Sequence, residues 1–140
     1  MKVLLSLFFT FVVISAYSQN IAIEGTYEFK LATSNAVIED ILILNADGTF
    51  TFHEYDKHEG GVPPERNTFG KGKWKLENQI VTFLVSESDI VEKYTLDFNN
   101  SKARFIVKSP RDKSDKVVPT SLKFFKSDVF WIVKRNFIKK

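Results

Sequence analysis

Apolar and polar residues alternate with a period of two in segments that follow one another along most of the chain, with turn-forming residues between them. The clearest case is Ile41 to Phe52, ILILNADGTFTF. Asn45-Ala46-Asp47-Gly48-Thr49 suits a type I turn followed by Gly48 in the left-handed region, which pairs Asn45 with Thr49. That register sets Leu44 opposite Phe50 and Leu42 opposite Phe52, so all four side chains share one face. A second hairpin closes at Asn78-Gln79 and places Trp74 opposite Phe83 and Leu76 opposite Val81. Asn99-Asn100 and Ser127-Asp128 mark further chain breaks.

These signals predict strands over 25–31, 37–44, 49–54, 69–76, 80–85, 91–98, 103–108, 121–126 and 129–135. The pattern is all-β, with no convincing amphipathic helix. Sequential hairpins form a meander, and a meander this long best avoids bare edges by closing on itself. The expected fold is an antiparallel up-and-down β-barrel of about eight to nine strands, with a two-sheet β-sandwich as the alternative. Leu42, Leu44, Phe50, Phe52, Trp74, Leu76, Val81, Phe83, Tyr94, Leu96, Phe98, Phe105, Phe124 and Trp131 fall on the face predicted to point inward. So many bulky groups favour a filled interior with at most a shallow pocket near one end. Two proline-containing loops, 55–68 and 109–120, stand out by length.

The first residues change the picture of where this barrel works. Lys2, the apolar run from Val3 to Ile14 and the small residues Ala16 and Ser18 have the form of a secretory signal peptide over residues 1–18. The run is shorter than the ~20 residues of a spanning helix. A single domain over 19–140, periplasmic or secreted and not membrane-spanning, is therefore expected. The chain has no cysteine, which excludes disulfides, thiol catalysis and acylation at a lipoprotein cysteine. Fourteen Phe, four Tyr and two Trp supply the packing instead.

Charge is divided unevenly. Residues 19–107 carry nine Lys or Arg against fourteen Asp or Glu, whereas 108–140 carry ten against three. The basic C-terminal part can keep strand edges from pairing with other chains, or attract an acidic partner such as a glycan, an envelope protein or the membrane surface.

Gly25-Thr26-Tyr27, the 42–52 hairpin, Gly72-Lys73-Trp74-Lys75-Leu76 and Ile80-Val81-Thr82-Phe83 together resemble the bacterial lipocalin-like, calycin-type small secreted proteins. The resemblance covers roughly the first half of the exported chain and lies in turns and core residues. It implies an antiparallel barrel of about eight strands, with room in some members for a small apolar ligand. Lipocalins proper carry Gly-x-Trp where this chain has Gly25-Thr26-Tyr27, and they stack an arginine from the end of the barrel on that ring. Arg135 is the matching candidate here. No catalytic or binding residue of the family carries over.

Candidate chemistry is sparse. Tyr27, Trp74, Tyr94 and Trp131 each join an apolar body to a polar tip and are the candidate ligand contacts, although each also fits a core role. His53 and His58, with the nearby carboxylates, are metal-ligand types, but their spacing is not that of a helical metal motif. A polar strand end running into a solvated loop accounts for them better. Neither paired carboxylates nor a nucleophile system can be placed at working separation, so no enzyme activity and no cofactor are expected. The 108–116 loop lacks the interleaved aromatics of a nucleic-acid binder. The expected function is a non-catalytic exported domain that binds a small apolar ligand or lipid. The alternative is an interaction or inhibitor module of the envelope, using the 55–68 loop and the basic C-terminal third.

Overall fold

The computed structural model describes residues 22–140; the expected signal peptide lies outside the described residues. Eight antiparallel strands close into a barrel in chain order: β1 (Gly25–Ala32), β2 (Ala36–Leu44), β3 (Thr49–His58), β4 (Glu65–Glu77), β5 (Ile80–Leu84), β6 (Lys102–Ile106), β7 (Ser121–Lys126) and β8 (Asn136–Lys139). The sandwich alternative is excluded by the β1–β8 pairing, in which Tyr27 opposes Lys139 and Glu28 opposes Ile138.

Both hairpins form in the expected register. Leu44 opposes Phe50 and Leu42 opposes Phe52. Asn45 N donates to Thr49 O at 2.8 Å, and Gly48 takes a φ of 86°. Asp47 accepts from Thr49 N and Oγ1, which fixes the turn in the conformation that Gly48 permits. At the second turn Asn78 and Gln79 both have positive φ, 50° and 63°, the pair of left-handed residues that a tight hairpin requires. Trp74 duly opposes Phe83, and Leu76 opposes Val81.

Three expectations are corrected. Strands β3 and β4 run on to His58 and from Glu65, so the 55–68 loop shrinks to residues 59–64. Residues 91–98 are not a strand of the barrel. They lie along the edge of β4 that the short β5 leaves unpaired, through one parallel bridge, Phe69 with Tyr94, and a bond from Leu96 N to Phe69 O of 3.1 Å. Tyr94 thereby packs on outward-facing Phe69 instead of pointing into the barrel. The stretch 129–135 is likewise no strand: Phe130–Ile132 makes a 3-10 turn, Lys134 takes a φ of 76°, and the last strand starts only at Asn136.

The interior is closed by aromatics. Phe50, Phe52, Phe83, Phe98, Phe124 and Phe137 are all fully buried, and edge-to-face contacts link them, such as Phe50 with Phe83 at 4.9 Å and Phe52 with Phe98 at 4.8 Å. Full burial stabilises the fold by about 1.5–3 kcal/mol per ring. Phe98 reaches the centre because β4 has glycine there. A Cβ on Gly70 would lie 2.7 Å from the Phe98 ring, so residues 91–98, which plug this side of the barrel, and the bare strand fit only as a pair. Leu76, expected inward, is half-exposed at the strand end.

Candidate functional site

Register arranges the inward side chains of β1–β4 in rows across the barrel wall. The lowest row is Gly25, Leu44, Phe50 and Gly72, and the next is Tyr27, Leu42, Phe52 and Gly70. Above them the same parity continues with Phe29, Asp40, Glu54 and Thr68, then Leu31, Ile38, Asp56 and Arg66. The barrel is therefore apolar over two rows and charged over the next two. Where the charged rows begin, the packing opens into a half-open cavity of about 350 Å³. Ile38, Leu96 and Trp131 give it apolar walls, while Glu54, Asp56, Arg66, Thr68 and Arg135 give it polar ones.

Arg135 organises the floor of this mouth. Its guanidinium lies 5.0 Å from the Phe29 ring centre and 4.6 Å from that of Trp131, and its Nη1 donates to Asp40 Oδ2 at 2.6 Å and to Glu54 Oε2 at 2.9 Å. One cation thus faces two carboxyl groups on adjacent strands. Burial is the main force on Asp40 and raises its pKa to about 7, Arg135 opposes the shift, and Glu54 adds to it. Protonated Asp40 can donate to Glu54, leaving one carboxylate to balance one guanidinium. Asp40 Oδ1 is buried with no hydrogen-bond partner among the described residues, which fits a carboxyl that holds its proton easily.

At the rim, Arg66 Nη2 donates to Asp56 Oδ2 at 2.7 Å. His58 Nε2 lies 2.7 Å from the other oxygen of Asp56, but without the alignment of a hydrogen bond, so the buried Oδ1 is left unsatisfied. The mouth thus offers donors on two arginines, carboxylate acceptors, and one flat aromatic wall.

Of the candidate ligand contacts, Trp131 alone lines this cavity. Tyr27 is wholly buried at the far end and donates its hydroxyl to Ile23 O. Burial, with Glu24 adding to it, raises the Tyr27 pKa. The cation over the Tyr27 ring is Lys139, 6.0 Å from its centre, and not Arg135, which stacks between Phe29 and Trp131. Trp74 closes the lower end, donating Nε1 to Asn45 O at 3.0 Å and N to Gly48 O at 2.8 Å. Tyr94 sits outside, between Lys71 and Lys93.

The histidines lie five residues apart on one strand and so belong to opposite faces. His53 stacks on Phe69 at 4.5 Å on the outside and binds Asn67 Oδ1 through Nε2, whereas His58 stands at the mouth beside Asp56. They cannot hold one ion together, and no cluster of three metal-ligand types occurs among the described residues.

Sequence reasoning missed Asp40, Glu54, Asp56, Arg66 and Arg135 as one site. The available signal was parity: the inward phase set by Leu42, Leu44, Phe50 and Phe52 runs unbroken through Asp40, Glu54 and Asp56. Comparison with known proteins adds no further constraint, since no family model, curated protein or solved structure matches the chain.

Proposed function

We propose that the protein is a non-catalytic, exported, lipocalin-like binding protein that takes a small amphipathic molecule in the barrel mouth. The observation that carries this reading is the 350 Å³ cavity, set above a core already filled by phenylalanines. A cavity with apolar walls and a few convergent polar groups is the usual form of a small-molecule site. The filled core argues for a ligand seated shallowly. Its apolar part would lie on Trp131, Ile38 and Leu96, and its polar end would meet Arg66, Asp56 or Arg135.

Carboxylates at this mouth are tied to guanidinium groups and Thr68, the one hydroxyl in the cavity lining, has no base hydrogen-bonded to it among the described residues, which favours binding over catalysis. A thermal-shift screen of amphipathic small molecules tests the reading. Ligands should raise the melting temperature of the wild type and leave Thr68→Trp, whose indole would fill the cavity, unmoved. Hits that stabilise both proteins equally would place binding elsewhere.

A further inference from the structure

The wall opposite the charged rows is chemically different. Strands β5 to β8 contain no Asp or Glu, whereas β1 to β4 contain seven. On β6 and β7, Arg104 stands opposite Lys123 and Lys102 opposite Lys126. Like charges paired across strands are unfavourable. None of the four joins an ion pair among the described residues, although carboxylates elsewhere pair with Lys30, Lys57, Arg66, Lys75, Arg135 and Lys140.

Apolar groups accompany these cations. Phe125 is exposed with the Arg104 guanidinium 5.7 Å from its ring centre, and Phe130 is 82% exposed on the connection that follows β7. Packing within the chain does not account for such a face.

We propose that the outer face of β6 and β7, with the connection that follows, docks the protein on an anionic phospholipid surface. Cations seek the lipid phosphates, and the protruding Phe130 and Phe125 supply what a soluble polyanion does not require, an apolar group to enter the interface. Phe130 adjoins Trp131, so docking here would bring the ligand mouth beside the membrane. This surface is separate from the cavity, and neither proposal depends on the other.

Vesicle co-sedimentation tests it, using protein that starts at Gln19 so that the apolar N-terminal run contributes nothing; strands β1 to β8 close the barrel without that run. Vesicles containing phosphatidylglycerol should capture the protein, and pure phosphatidylcholine vesicles should not. Capture should collapse between roughly 0.05 and 0.5 M salt, as charge screening shortens. Arg104→Glu with Lys123→Glu should lower capture by roughly tenfold at an unchanged melting temperature. Should that pair fail to fold, Arg104→Gln with Lys123→Gln should still lower it severalfold. Phe130→Ser should weaken capture while leaving its salt dependence in place. Absence of wild-type capture by phosphatidylglycerol vesicles, or equal capture by the charge-reversed protein, overturns the proposal. Retention on a sulfated glycan without vesicle capture overturns it too, in favour of a soluble polyanion.

Discussion

Asp40 is the residue on which the mouth turns. It is fully buried, shares Arg135 with Glu54, and carries a pKa raised from 3.8 to about 7. Because the folded chain holds this proton more tightly than the unfolded chain, Asp40 contributes most to stability below the unfolded value. That contribution is lost as pH rises through the folded one. Urea midpoints for the wild type and Asp40→Asn should therefore diverge between about pH 4 and 7, with the wild type losing stability relative to the variant, and run parallel above that range. Curves parallel throughout would mean that Asp40 is ionised like an ordinary surface carboxyl. The same residue shows where reading the sequence stops. Asp40 follows Glu39 in an apolar strand, and composition does not say which of the two points inward. The hairpin register does, since Leu42 and Leu44 share the parity of Asp40.

Among the elements, the hairpins were legible and the plug was not. Gly48 and the Asn78-Gln79 pair state their turns locally, so the register of β2–β5 follows from short-range chemistry. Residues 91–98 alternate like a strand, yet their partner is the open edge of β4, and the glycine that admits Phe98 lies nearly thirty positions earlier. Nothing local encodes that meeting. Phe98→Ala should cost about 3–5 kcal/mol, as expected for a large ring removed from a core. It should also speed hydrogen exchange at the Leu96 amide, whose partner is Phe69 O, more than at amides of the 42–52 hairpin. Uniform acceleration over the whole barrel would show that 91–98 has no separate stability. The stretch 129–135 misled for a related reason. Its apolar residues serve different sides, with Ile132 buried, Trp131 in the mouth and Phe130 in solvent, so alternation there reports a turn crossing the barrel end.

For the whole molecule, the wall divides by chemistry as well as by height. The lower rows are sealed by rings, the upper rows of β1–β4 are charged, and β6 and β7 are basic outside. The excess of cations in the last third was visible in composition, but its true extent was not, because Lys102 and Arg104 belong to the same face. The filled barrel leaves the open, charged mouth as the proposed place for a ligand. Native mass spectrometry of protein isolated from the cells that naturally make it tests it most directly, with Thr68→Trp prepared in parallel. A discrete added mass of a small molecule is expected on the wild type and only the polypeptide mass on the variant. Bare polypeptide in both, or the same added mass in both, would contradict it.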